Sequence, residues 1–454
     1  MGTVGINFGA ATGGSGFDVS ATVSAILAVE SAVETPWKAQ LTHLQAQDTA
    51  LSALGTNLAS LSTAMSSLTA FDGVMAQKQG ASSNTNVLTL TAASSSSVSG
   101  SHTITVTQLA QTSSRYSDEI TAATDTLSGS MTFGSGSSAQ TLTIDSTTNT
   151  LTSLAAAINA KSYGVAASIV TSATGSRLSL VSHTSGSAGQ ISLSPSLTDA
   201  TTGKSVAFSV GQTGQDAAFN IDGVDTTSAS NTVTGAIPGV TFQLLSTALN
   251  SPVQVQITND NTAIETAMQA VVTAYNAVSA AIKLQEGNDS AGAAEPLYGS
   301  PTLGQLQTQL SGSLFTGTAS GAIKDISKLG LTLNQDGTMA LNVAALDSTL
   351  NSNFSDASGF FQNTGSFGQT FSNMLNSLGS SSTTGAISLA LAENKSQETG
   401  INSNVTNQEA RIAAQKIRLT TELTTANQIL QSIPQQLNEQ TQIYNAITGY
   451  KGGN

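Results

Sequence analysis

Three histidines, His43, His102 and His183, are the side chains whose type best suits acid–base or metal chemistry, and they lie far apart in the chain. None belongs to an H-E-x-x-H or other ligand-spaced cluster, so no histidine zinc site is expected. The many serines lack the G-x-S-x-G turn that exposes a nucleophile. A Ser-His-Asp triad assembled from distant residues stays open on sequence, with His102 read as a solvent-facing residue in a Ser/Thr-rich strand. Gly203-Lys204 approaches a phosphate-binding loop but lacks that motif's upstream glycine. Asn259-Asp260-Asn261 and Asn288-Asp289 carry oxygen ligands without the spaced set, closed by a glutamate, that a calcium loop needs. Turns and helix caps are their expected roles. The chain has no cysteine, which removes disulfides, thiolate ligands and cysteine nucleophiles. These residues point away from catalysis, and no cofactor or metal is expected.

The composition excludes more. The chain has 454 residues, enough for about three domains at roughly 100–200 residues each. Only 9% of residues are charged, against about 25% in an ordinary soluble chain. A net charge of −13 with 14 Lys and Arg argues against binding nucleic acid, which needs a basic face. No stretch approaches the roughly 18 apolar residues of a membrane span. The first basic residue is Lys38, so the N-terminus lacks the positive region of a cleaved signal peptide, and export by another route is expected.

The elements that would position an interface are more legible than any active site. Residues 1–16 are rich in Gly, Ala and Thr without periodicity and read as a flexible arm, with Asp18 as the cap of a following helix. From there Trp37, Leu41, Leu44, Leu51, Leu54, Leu58, Leu61, Met65 and Leu68 recur mostly at alternating steps of four and three, with Asp48 on one expected apolar position. That pattern favours packing against another long helix. Pro36 predicts a break or the first turn of a second helix. The C-terminal region repeats the pattern through Ile401, Val405, Ile412, Leu419, Leu423, Ala426, Leu430, Ile433, Leu437, Tyr444 and Ile447, with one step out of phase near Leu419. Pro434 is expected to kink or divide that helix.

Between these ends, residues 87–258 alternate with period two in short runs such as Thr103-Ile104-Thr105-Val106-Thr107 and Val253-Gln254-Val255-Gln256-Ile257, the strand signature. A short helix over 151–160 interrupts them, helical periodicity returns from Asn261, and a tight turn is expected at Asn334-Gln335-Asp336-Gly337. The chain ends must therefore find each other, nesting the middle, or find copies of themselves. Few charges flank the stripes, so pairing would be held by shape and polar amides.

Several segments, in order, resemble the flagellar filament-capping (hook-associated protein 2) family. They are Gly14-Ser15-Gly16-Phe17-Asp18-Val19, Leu51-Ser52-Ala53-Leu54-Gly55, the 103–110 strand, and Leu151–Asn159 with Arg177-Leu178-Ser179-Leu180. Further along come Gly214-Gln215-Asp216-Ala217, Ile221-Asp222-Gly223-Val224, Ser230-Asn231-Thr232-Val233 and Pro238-Gly239-Val240-Thr241. The last are Ala274-Tyr275-Asn276, Leu329-Gly330-Leu331-Thr332-Leu333 and Asp336-Gly337-Thr338. The chain departs from the family after Arg418, where Leu-Thr-Thr-Glu-Leu stands in place of an aromatic cluster.

The resemblance implies an α+β, multidomain fold: long terminal α-helices forming a coiled-coil or helical-bundle leg, with nested β-rich head domains. The implied divisions are an arm and terminal helix over 1–40, a helical leg over 41–73, a β-rich domain over 74–112 and 214–258, and a nested β-rich domain over 113–213. A mixed leg over 259–395 and a coiled-coil helix over 396–454 complete it. The implied function is a structural cap at the filament tip that retains exported flagellin and promotes its ordered polymerisation. Implied partners are copies of itself in a ring of about four to six subunits, flagellin, junction proteins and an export chaperone. Export would use the flagellar type III apparatus. The assembly or coiled-coil interface is then expected at Trp37, Leu41, Leu44, Leu51, Leu54, Leu58, Leu61, Leu68, Ile412, Leu419, Leu423, Leu430, Leu437 and Tyr444. The other reading is a surface adhesin that binds mucin or glycan through the β-rich region.

Overall fold

The computed structural model describes residues 16–134, 138–379 and 382–449, so all but Gly16 of the arm read over 1–16 lies outside the described residues. In chain order it begins with α1 (Val19–Ser31), α2 (Glu34–Thr69), β1 (Lys78–Ser82), β2 (Leu88–Ala93), β3 (Gly100–Gln108), β4 (Thr112–Ser117), β5 (Leu127–Phe133) and β6 (Gln140–Thr143). Then come α3 (Leu151–Asn159), β7 (Val165–Thr171), β8 (Ser176–Ser185), β9 (Leu193–Asp199), β10 (Ser205–Val206), β11 (Phe208–Gln212), β12 (Ala217–Ile221) and β13 (Val224–Ser228). After β14 (Thr232–Ile237), β15 (Val240–Leu244) and β16 (Val253–Asn259), helices return as α4 (Asn261–Gln285) and α5 (Pro301–Ser313). A hairpin of β17 (Leu331–Leu333) and β18 (Met339–Leu341) precedes α6 (Val343–Gln362), α7 (Phe367–Leu378) and α8 (Ala386–Thr448). These form two compact units, Met1–Thr69 with Glu265–Asn454, and Ala70–Ile264. The fold is α+β, with the β unit inserted in the sequence between two helical stretches.

The helical unit starts at Asp18, whose carboxylate accepts from the Ala21 N–H at 2.9 Å and caps α1. Pro36 sits in the first turn of α2, where its missing N–H is not needed. Neither proline divides a helix: α8 runs unbroken through Pro434, giving up one backbone donor. The 40/41 and 395/396 divisions fall inside α2 and α8, which cross them without interruption. Leu51, Leu54, Leu58, Leu61, Met65 and Leu68 are at most 2% exposed. Met65 and Leu68 meet Met268, Val271, Phe361, Phe367 and Phe371 around a void of only about 10 Å³. There Phe367 stacks on Phe360 at 5.1 Å and Phe371 at 5.5 Å. Asn276 on α4 pins the β17–β18 hairpin by accepting from the Met339 N–H at 2.7 Å and donating to its carbonyl at 2.9 Å. Burial pushes the nearby Tyr275 phenol above its ordinary value.

The β unit holds two cores. One sheet, ordered β1-β16-β3-β12-β13, and a second, β14-β15-β2, are antiparallel and enclose Ile104, Val106, Phe219, Phe242, Val253 and Val255. Sheets β10-β9-β5-β6 and β11-β4-β8-β7, with α3, enclose a separate cluster including Met131, Leu154, Ile158, Leu178 and Leu180. Thr150 and Ser153 form a reciprocal cap at the start of α3. Several motif residues lock turns. Asp222-Gly223 closes the β12–β13 hairpin with φ of +52° and +91°, the left-handed pair that such a turn requires. Asn231 accepts from the Ala110 N–H at 2.7 Å and donates to its carbonyl at 2.9 Å.

Two outcomes follow. Phe371→Ala should lower the stability of the helical unit by about 3–5 kcal/mol, because the surrounding phenylalanines cannot close the space; urea unfolding followed by circular dichroism checks this. Asp199, Asp222 and Asp325 are held below the ordinary carboxylate value of 3.8, by the Thr202 hydroxyl, the Thr103 N–H and the Ser327 hydroxyl respectively. Groups held low in the folded state contribute stability in full above their unfolded value and lose it as pH falls through the folded one. Thermal midpoints should therefore decline only below about pH 4 as these carboxyls protonate.

Candidate assembly interface at the paired chain ends

Hydrogen bonds fix the direction in which the chain ends meet. The Phe17 N–H donates to Asn427 Oδ1 at 2.8 Å, Gln415 Nε2 to Glu30 Oε1 at 2.5 Å, and Gln408 Nε2 to the Glu30 carbonyl at 3.3 Å. Farther along, Lys38 Nζ reaches Glu409 at 3.3 Å, and Asn394 Nδ2 donates to Asp48 Oδ1 at 2.8 Å. As the numbers rise on α1 and α2 they fall on α8, so the pairing is antiparallel and within one chain. Of the two arrangements that the sequence pattern allows, this chain shows the ends meeting each other.

Counting polar residues completes the spacing. Val23, Leu27, Glu30, Glu34, Trp37, Leu41, Leu44, Asp48 and Leu51 follow strict four–three steps across α1 and α2. Ile387, Leu391, Asn394, Glu398, Ile401, Val405, Gln408, Ile412, Gln415 and Leu419 do the same on α8. Asn394, Glu398 and Gln408 are buried, as is Glu34. Glu34 Oε2 accepts from Lys38 at 2.7 Å, while its Oε1 is buried with no hydrogen-bond partner among the described residues. The Lys38 ammonium is held above its ordinary value, chiefly by the hydrogen bond to Glu34 and then by Glu409. Glu398 is met by Lys395 at 3.2 Å.

The expected interface residues separate into three groups. Leu51, Leu54, Leu58, Leu61 and Leu68 are buried within the helical unit. Leu44 is buried, and Trp37, Leu41, Ile412, Leu419, Leu423 and Leu430 are half-buried. Leu437 and Tyr444 lie beyond the paired stretch, where every described α8 residue after Pro434 is exposed. With Ile443 and Ile447 they form an apolar face, with exposures of 47% to 79%. A scan for apolar residues alone misses Glu30, Glu34, Asn394, Glu398, Gln408, Gln415 and Asn427. Their in-phase spacing was the available signal.

Of the three histidines, His102 has a carboxylate partner within the β unit. His102 Nδ1 lies 2.6 Å from Asp222 Oδ2, a pairing that the solvent-facing reading did not anticipate, and Asp222 also accepts from the Thr103 N–H at 2.7 Å. This braces the β12–β13 turn against β3. Asp260 accepts from the Ala263 N–H at the start of α4, and Asp289 accepts from the Ala291 and Ala293 N–H groups in a turn. Among the described residues no group of three His, Asp or Glu side chains could hold a metal, and no helix is long and apolar enough to cross a membrane.

Comparison with known proteins gives concordant matches. A family model described as flagellar hook-associated protein 2 N-terminus matches residues 15–113, and one described as its C-terminus matches residues 214–441, half of the chain. Residues 114–213, which carry the second β core, lie between these spans. The B-type flagellar hook-associated protein 2 of Pseudomonas aeruginosa is 26% identical over 147 residues, 31% of each chain. A flagellar hook-associated protein 2 of Vibrio cholerae is 29% identical over 165 residues, 35% of this chain and 25% of that one. The matches thus span about a third or less of these relatives' length. The crystal structure of the D1-D2-D3 domains of the flagellar cap protein FliD from Escherichia coli superposes with a TM-score of 0.59 at 25% identity, covering 76% of this chain and 99% of that one.

The two ends of the α8 stripe should respond differently to truncation. Leu44→Ala, opposite α8, should cost about 2–4 kcal/mol. Tyr444→Ala, 62% exposed, should stay within about 0.5 kcal/mol of the parent. Denaturant midpoints of the two variants check the contrast.

Proposed function

The chain belongs to the flagellar hook-associated protein 2 family, and on that premise we propose that it is a structural cap at the distal end of the bacterial flagellar filament. In this reading copies of the chain assemble into a ring or plate at the tip, retain exported flagellin and promote its ordered addition. The chain would reach the tip through the flagellar export apparatus. Its role is mechanical: surfaces hold and release subunits, with no bond-making step for side chains to catalyse.

The observation that carries the reading is the exposed end of α8. Among the described residues, the apolar stripe of α8 is covered by its own chain as far as Pro434 and is exposed through Leu437, Ile443, Tyr444 and Ile447, a surface continuous with the coil. We assign it to contact with flagellin subunits at the growing end. The paired part of the coil then acts as a lever that holds this face, and the inserted β unit provides the remaining surface for self-association. Low charge suits sliding contacts, since few ion pairs need to be broken at each step.

The test is genetic and biochemical. Deleting the gene in its source bacterium should abolish long filaments and release unpolymerised flagellin into the medium, and the parent gene should restore both. The double variant Leu437→Asp with Tyr444→Asp, made at exposed positions, should remain folded yet lose most of the rescue. Normal filaments in the deletion strain would rule out the cap assignment, whereas full rescue by the double variant would move the contact elsewhere on the chain.

A further inference from the structure

The polar side chains between α1–α2 and α8 cost stability compared with leucine, and they are distributed unevenly. On the N-terminal helices all three are acids: Glu30, Glu34 and Asp48. An ionised carboxylate only accepts hydrogen bonds. On α8 the facing residues include the amides Asn394, Gln408 and Gln415, and each donates across the coil: Asn394 to Asp48, Gln415 to the Glu30 carboxylate and Gln408 to the Glu30 carbonyl. The two remaining acids, Glu34 and Glu398, are each held by a lysine on their own helix. Asn394, Gln408 and Gln415 thus donate from α8 to acceptors on α1 and α2, while the Phe17 N–H and Lys38 donate in the opposite direction, to Asn427 and Glu409.

We propose that this polar pattern is a pairing code that makes each chain's N-terminal helices close on its own α8, in one register, rather than on a second copy. Two copies of α1–α2 brought together would meet acid to acid without an amide donor. A slip of one heptad would carry Asp48 from Asn394 to Ile387 or Ile401, and Glu30 from Gln415 to Gln408 or Glu422. Either slip leaves Asp48 facing an isoleucine with no hydrogen-bond donor. A single polar pair is known to select register and partner in helical coils at some expense of stability. For a protein that meets many copies of itself and other long helices, the code keeps the coil closed within the chain.

The chain lacks cysteine, so paired spin labels read the register in the full-length protein without a cysteine-free background. Labels at Gln45→Cys and Asn402→Cys, both exposed, would be measured by pulsed electron–electron distance spectroscopy in an excess of unlabelled chain. The parent should give one narrow distance. Asp48→Leu with Asn394→Leu should add a population displaced by about 10 Å, one heptad of helix rise. When Q45C chains are mixed with N402C chains, that same background should also give a signal between chains that the parent lacks. Asn394→Leu alone, which strands Asp48, should lower the thermal midpoint, and the exchanged pair Asp48→Asn with Asn394→Asp should restore the single parental distance. An unchanged single distance in the double leucine variant, with its helix content intact, would overturn the proposal. So would an exchanged pair that stays heterogeneous while fully folded.

Discussion

Everything in the helical unit depends on the closure of the two chain ends into one antiparallel coil. A helix of 63 residues with so few apolar positions has little reason to persist in water alone, because most helical stability in proteins comes from packing one face. The covering is supplied by residues 385 and 410 positions earlier, at Glu30 and Phe17. Closing so long a loop is entropically costly, yet that cost grows only slowly with length.

The coil is also a compromise between strength and selectivity. Each cross-coil hydrogen bond contributes a net of about 0.5–1.5 kcal/mol, while stranding a buried partner costs about 1–3 kcal/mol. The asymmetry penalises wrong registers more than it rewards the right one. The same logic explains the low charge: hydrogen bonds between a carboxylate and an amide are directional, and salt screens them less than it screens an exposed ion pair. Long-range Coulomb attraction is not needed to align helices that are already tethered.

How much of this was legible in the sequence differs by region. The terminal stripes announced long packed helices, the period-two runs announced strands, and Asp18 and Asp260 stood where helices begin. The turn at Asn334–Gly337 appears as the β17–β18 hairpin, with Gly337 at φ +81°. Pro434 does not divide α8, because a single missing donor on a long helix is tolerated when the rest of the ladder stands. Stripe residues from Leu51 to Leu68 were indistinguishable from interface residues, since an apolar side chain carries no mark of whether its cover comes from the same chain. The polar coil residues were overlooked for the opposite reason: a search for apolar periodicity discards Asn394, Gln408 and Gln415 as noise. The His102–Asp222 pairing brings together residues 120 positions apart and depends on strand register, which no local pattern encodes.

The central claim is that, among the described residues, α8 is covered by α1 and α2 up to about Pro434 and exposed beyond it. Hydrogen–deuterium exchange of the full-length protein, resolved by peptide, tests this most directly, because exchange reports local opening free energy. The account predicts strong protection over residues 19–31 and 386–431, with rapid exchange confined to 435–448. Protection that extends unbroken through residue 448, or uniformly fast exchange over both 19–31 and 394–431, would contradict it.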